Sequence, residues 1–229
     1  MKKKLIIAVI LMALLFAGMF KVTKLRTFQF FGGLTYQAET KDKVIALTFD
    51  DGPTKNVDQL LPLLDKYKAK ATFFLIGNEI EKHFEEAKKI VEAEHQIGNH
   101  TYSHKRMVLK SPSFIKEEIE KTDELIRKIG YKGEIDFRPP YGKKFVGLPY
   151  YLNQHNRETI MCSLEPETYY TSVDDKVDYV LENIKPGSII LLHPMYDQTG
   201  GTIQVVEEIL KELTSEGYQF VTVNELQER

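Results

Sequence analysis

Cysteine is nearly missing from this chain of 229 residues: Cys162 stands alone, so no internal disulfide and no multi-cysteine metal site can form. Any metal therefore falls to His, Asp and Glu. Fourteen glycines and nine prolines, with no tract of either, exclude collagen-like and low-complexity chains. Excess positive charge is also missing over most of the length. Net charge is −2, but residues 1–43 carry +6 and the remainder −8. A body that acidic lacks the basic surface nucleic-acid binding requires, and no nucleic-acid partner is expected. What is left, 42% hydrophobic and 28% charged, is ordinary for one or two globular domains.

Polar side chains are absent from Leu5 to Phe20, sixteen residues that follow Lys2, Lys3 and Lys4. At 1.5 Å per residue these reach about 24 Å, against a hydrocarbon core of about 30 Å, and Val22 with snorkelling Lys21 and Lys24 extends them. The stretch Phe16-Ala17-Gly18-Met19-Phe20-Lys21 is a poor small-x-small cleavage site. An uncleaved signal-anchor over residues 5–22 is therefore expected, with secretion after cleavage as the alternative. No cysteine follows the run, which leaves no site for a lipid-modified N-terminus. With residues 1–4 held in the cytoplasm, everything after Lys21 would lie outside it. Residues 23–42, with Gly32-Gly33 and no clean period, read as a linker or a partly ordered lead-in, and residues 43–229 as the outer domain.

In that domain apolar runs alternate with amphipathic stretches, the pattern of an α/β fold on parallel strands. Strands are expected at Val44–Phe49, Ala71–Leu75, Ile97, Ile135–Arg138, Thr159–Ser163, Ser188–Leu192 and Gln219–Val223. Helices are expected at about 57–67, 79–94, 112–129, 173–184 and 201–216, the third opened by Ser111-Pro112-Ser113 and closed by Gly130. Seven strands are few for an eightfold barrel of about 250 residues, so a distorted or incomplete (β/α) barrel of about seven parallel strands is expected.

Polar residues at the C-terminal ends of such strands are where a site forms. Four ends carry them. Thr48-Phe49-Asp50-Asp51-Gly52-Pro53 closes a strand with two carboxylates, which separate their pKa values unless a cation holds both ionised; a turn with solvated acids would read the same. His100-Thr101-Tyr102-Ser103-His104 would put two imidazoles on one face of a helical turn. His83, His95 and His155 sit in charged contexts and read as surface residues. Arg138-Pro139-Pro140-Tyr141-Gly142 fixes a backbone around a bidentate carboxylate partner. Ile189-Ile190-Leu191-Leu192-His193 delivers one imidazole at a strand end, where a buried structural histidine is the plain alternative.

Together these four pieces resemble the polysaccharide deacetylase family, the NodB-homology or carbohydrate esterase 4 family, through Thr-Phe-Asp-Asp-Gly, His-Thr-Tyr-Ser-His, Arg-Pro-Pro-Tyr-Gly and Leu-Leu-His. The resemblance implies that Asp51, His100 and His104 bind a divalent metal, zinc first, with cobalt or another divalent ion as alternatives. It implies Asp50 as general base, Arg138 as the partner that orients it, the Tyr141 backbone N–H as an oxyanion donor and His193 as general acid. Leu191 would line the pocket for the acetyl methyl. Relatives also carry an Asp-Trp motif, whereas this chain has no tryptophan. Thr168 and Tyr169 stand at the equivalent place, Tyr169 as groove wall, with Glu165 or Glu167 as sources of the missing charge.

The implied function is metal-dependent de-N-acetylation of a GlcNAc-containing polysaccharide, with peptidoglycan as the nearest substrate for an outward-facing membrane-anchored domain. O-acetyl ester cleavage and a glycan-binding pseudoenzyme are the alternatives. The expected partners are an acetylated glycan polymer and, through the anchor, the membrane; a monomer is expected.

Overall fold

A computed structural model of the chain describes residues 2–229. Its first helix, α1 (Lys2–Val22), leaves Ile6, Leu11, Leu14 and Phe16 exposed. Among the described residues no helix is long and apolar enough to cross a membrane. The span expected over residues 5–22 falls on α1, several of whose side chains lie outside the described residues, and no membrane helix is shown there.

The elements that follow are β1 (Leu34–Thr35), β2 (Val44–Asp50), α2 (Val57–Lys66), β3 (Thr72–Leu75), α3 (Gly77–Lys82), α4 (Phe84–Glu92), β4 (Gln96–Asn99) and α5 (Pro112–Lys128). Then come α6 (Gly147–Gln154), β5 (Thr159–Ile160), α7 (Val173–Asn183), β6 (Ile189–Leu192), α8 (Gly201–Ser215), β7 (Gln219–Val221) and α9 (Val223–Gln227). Residues 23–42 are no free linker, since β1 pairs in parallel with β5 and Thr23 is buried.

All strand pairs are parallel. The main sheet runs β4-β3-β2-β6; β3 pairs with Thr48–Asp50 of β2, and β7 with Val44–Ala46 below it. Single bridges join Asn99 to Phe137, Phe137 to Thr159 and Leu164 to Ile190. The parallel α/β class holds, but the pairing forms one five-stranded and one two-stranded sheet rather than a barrel of paired strands. The strand expected at Ile135–Arg138 shrinks to the bridging residue Phe137, because Pro139 and Pro140 beyond it have no N–H to extend a ladder. The helix expected over 79–94 is two helices, broken where His83 leaves helical geometry (φ −126°, ψ 49°).

The period of two along each strand positions the site. Ile45, Leu47 and Phe49 of β2, Phe73 and Leu75 of β3, and Ile190 and Leu192 of β6 face the helices and share the larger core. The alternate residues Val44, Ala46, Phe74, Ile189 and Leu191 pack with Ile160 and Cys162 on the opposite, inner face. Thr48 and Asp50 continue that inner set by parity. One face of β2 therefore changes from apolar to polar at its C-terminal end.

Candidate metal and catalytic centre

Asp50 is buried at 4% exposure, and a buried carboxylate needs a counter-charge. Arg138, buried at 2%, supplies it: Nη1 donates to Asp50 Oδ1 at 2.6 Å and to Thr48 Oγ1 at 2.8 Å. Its Nε and Nη2 donate to the carbonyls of Ile160 and Met161 at 3.3 and 3.0 Å, and its guanidinium lies 4.1 Å from the Phe74 ring centre. The arginine is thus held on every side, and only one Asp50 oxygen is taken. Burial pushes the Asp50 carboxyl up, but Arg138, then His100 and His193, outweigh it and hold the pKa below the ordinary value. Asp50 is ionised with Oδ2 still able to accept a proton.

The chain turns sharply after Asp50. Asp51 has φ 68°, a left-handed conformation, and Gly52 follows at φ 64°, where a Cβ would run into the Met195 side chain. Two adjacent acids thereby diverge from strand alternation and reach the same space. Asp51 Oδ1 lies 3.2 Å from His104 Nε2 and 3.7 Å from His100 Nε2.

The two histidines do not share a helix face as expected. Residues 100–104 form a loop, wound by the left-handed residues Thr101 (φ 67°) and His104 (φ 54°). Side chains from outside the motif hold it. Asn99 Oδ1 accepts the Thr101 N–H at 2.7 Å, and buried Glu118 of α5 accepts the N–H groups of Tyr102 and Ser103 at 3.0 and 2.8 Å. His100 Nδ1 donates to the Arg138 carbonyl at 2.7 Å, which leaves Nε2 as the ring nitrogen directed at Asp51. Burial, with His100 beside it, outweighs Asp51 and Asp50 and holds the His104 pKa below the ordinary value, leaving a neutral ring.

These three groups fit a cation. Their ligand atoms all lie within 4.8 Å of one another, and Asp51 Oδ1 is buried with no hydrogen-bond partner. A buried carboxylate oxygen without a hydrogen-bond partner, facing two imidazole nitrogens, is costly unless a positive ion sits among them.

His193 stands across from Asp50. Glu167 Oε2 accepts from both its Nδ1 at 2.7 Å and its backbone N–H at 3.0 Å. Burial would lower this imidazole's pKa, but the Glu167 bond and the charges of Asp50, Glu167 and Asp51 raise it to about 9. Glu167 thus provides the charge expected of Glu165 or Glu167, and Thr202 Oγ1 holds its other oxygen at 3.2 Å. Glu165 instead pairs with Arg26.

A cavity of about 520 Å³ joins these parts. Asp50, Asp51, His100, His104, Arg138, Tyr141, Thr168, Leu191 and His193 line it. Tyr141 is left-handed (φ 60°), sets its ring 4.7 Å from that of His104 at a tilt of 42°, and follows two prolines that fix its approach. Tyr169 follows the short helical turn Pro166–Thr168, is 61% exposed and packs on Tyr170 and Tyr179, beside the lining residue Thr168. His95 is a correction. Far from the cavity, it is buried, accepts the Ala71 N–H at 3.3 Å, and burial lowers its pKa to about 4. Sequence reasoning missed Lys24, Arg26 and Lys143 in the cavity wall, since no periodicity marked residues 23–42 as part of the domain.

The polysaccharide deacetylase pattern matches residues 37–160, more than half of the chain. The chain belongs to the polysaccharide deacetylase family. As a polysaccharide deacetylase it is a hydrolase. It is 34% identical over 199 residues to a peptidoglycan-N-acetylglucosamine deacetylase of Bacillus cereus, covering 85% of this chain and 93% of that one. Two other curated relatives are longer, and the chain spans 40% and 30% of their lengths. Among solved structures, a peptidoglycan N-acetylglucosamine deacetylase superposes with a TM-score of 0.79 at 30% identity, covering 84% of this chain and 92% of that one. A family pseudoenzyme from Bacillus anthracis superposes at 0.75 and 27% identity, with 84% and 68% covered.

Proposed function

We propose that this polysaccharide deacetylase removes the acetyl group from N-acetylglucosamine units of peptidoglycan, using a divalent metal held by Asp51, His100 and His104. The observation that carries this is the buried, unpartnered Asp51 Oδ1 facing the imidazoles of His100 and His104 beside an ionised Asp50. One carboxylate and two imidazoles suit zinc, which would supply Lewis-acid polarisation of the acetyl carbonyl and favour a nucleophilic form of water.

The chain's own residues do the rest. Asp50 Oδ2 takes the proton of the attacking water, and Arg138 keeps that carboxylate ionised and in place by occupying Oδ1. The Tyr141 N–H donates to the oxyanion as the carbonyl carbon becomes tetrahedral. His193, protonated through Glu167, hands its proton to the departing amine. Leu191, on the apolar inner face, receives the acetyl methyl and excludes bulkier acyl groups. The catalytic domain works outside the cytoplasm, where the polymer lies.

The likeness to a pseudoenzyme supports a second reading, glycan binding without turnover. Asp50, Asp51, His100, His104, Arg138 and His193 are all present and gathered in one cavity, which favours turnover. Acetate release from peptidoglycan, from N-acetylglucosamine oligomers and from O-acetylated xylan decides the matter. Release from the first two is expected. Release from xylan alone would make the protein an esterase, and metal binding with no acetate from any polymer would make it a binding protein.

A further inference from the structure

The cavity has a second wall that the chemistry above does not use. Lys24 and Arg26, from the segment between α1 and β1, and Lys143, just after Tyr141-Gly142, line it together with Asp51 and His193. The segment is built in. The Lys144 N–H donates to the Thr23 carbonyl at 3.0 Å, and its buried Nζ to the Leu25 carbonyl at 2.5 Å. Thr23 Oγ1 in turn bonds the Phe20 carbonyl at 2.8 Å. The Phe20 ring is shared: Lys24 Nζ lies 4.6 Å from its centre and Lys143 Nζ 5.6 Å. Arg106, itself outside the lining, lies over the ring of the lining residue Tyr141 at 5.1 Å and adds a third cation beside this wall.

Arg26 is neutralised by Glu165. Among the described residues, Lys24, Lys143 and Arg106 form no ion pair with any acid. Burial, then Arg106 and Lys24, lowers the Lys143 pKa, so the three cations are close enough to repel. The one acid on this wall, Glu165, is taken by Arg26, which leaves Lys24 and Lys143 without an ion-pair partner among the described residues. The same cavity is lined by the metal-type cluster Asp51, His100 and His104.

We infer that the Lys24–Lys143–Arg106 rim is a subsite for a carboxylate carried by the sugar next to the one being deacetylated. The inference rests on the deacetylase reading and deepens it: the preferred polymer alternates acetamido sugars with acid-bearing ones, and a neutral N-acetylglucosamine polymer is the poorer substrate. An anion bound there relieves the repulsion of three cations and fixes the polymer's register over Asp50. The ordering of residues 23–26 against Lys144 is what places Lys24, which makes the lead-in after α1 part of the substrate site.

The test uses the full chain and two oligomers of equal length: peptide-free glycan in which every second sugar carries a carboxylate, and uncharged N-acetylglucosamine oligomer. Calorimetric affinity and the kcat and KM of acetate release are measured for the wild type and for the Lys24→Gln/Lys143→Gln double variant, whose fold is checked by its melting curve. The wild type should prefer the carboxylated oligomer by about tenfold at low salt, a preference that shrinks as salt screens it. In the double variant that preference should collapse, with the loss on KM. Equal affinity for the two oligomers in the wild type, or an unchanged preference in the variant, overturns the subsite. Binding preference is read without turnover, so absence of acetate from both oligomers would refute the deacetylase reading separately.

Discussion

Glu167→Gln removes one negative charge and leaves the shape of the contact with His193. In the native protein Glu167 Oε2 takes both the Nδ1 and the backbone hydrogens of His193, and the imidazole pKa is raised to about 9. At pH 8 about nine-tenths of such a group is protonated, against about one-thirtieth at the ordinary 6.5. Asp50 and Asp51 still act in the variant, so a fall to about 7 and an about tenfold loss of kcat/KM at pH 8 are expected. At pH 6 variant and native rates should agree within about twofold, because both imidazoles are then largely protonated. A bound cation would move both alkaline limbs to lower pH together, so the role of Glu167 is read from the separation of the two limbs, and the pH at which the rates converge moves with them. The assay is a pH–rate profile of acetate release from pH 5.5 to 9.5. An alkaline limb at the same pH in both proteins would refute the role of Glu167 in charging His193. Stability carries the same sign: the folded pKa lies above the unfolded one, so stabilisation is complete below about 6.5 and lost as the pH rises through about 9. Glu167→Gln should flatten that dependence.

Glu118→Ala should release the loop that carries both histidines, by removing the acceptor of the Tyr102 and Ser103 N–H groups; zinc affinity measured by competition with a chromogenic chelator should fall about 10–100-fold. Asp136 is buried and bonded only by Gln96 among the side chains; burial raises its carboxyl to about 7 against that bond. Its folded pKa lies above the unfolded 3.8, so stability falls as the pH climbs from about 4 to 7. Asp136→Asn should therefore stabilise the fold by about 2–4 kcal/mol at pH 8 and by little at pH 4, read from urea unfolding at each pH.

Residues with a regular period were legible in the sequence. The apolar run Val44–Phe49 declared β2, and Ser111-Pro112 declared the start of α5, where Ser111 Oγ accepts the Phe114 N–H. The four polar strand ends were legible as well, because carboxylates and imidazoles are rare at the close of apolar runs. How they meet was less so. The turn at residues 100–104 depends on Asn99 and on Glu118, which sits in another helix and reads as one of many charged residues of α5. Glu167 is indistinguishable from Glu165 in sequence; a three-residue helical turn aims one at His193 and leaves the other to Arg26. The break at His83 has no Gly or Pro to announce it. Residues 23–26 lack any pattern, since backbone carbonyls hold them to Lys144 and such bonds leave no mark on side-chain identity.

The central claim is that Asp51, His100 and His104 hold one divalent ion while Asp50 beside them works as the base. Its most direct measurement is metal content and acetate release, side by side, in purified wild type, Asp51→Asn and Asp50→Asn. One equivalent of metal with activity in the wild type, loss of both in Asp51→Asn, and retained metal with at least about a hundredfold lower rate in Asp50→Asn are predicted. Full metal and full rate in either variant would contradict it.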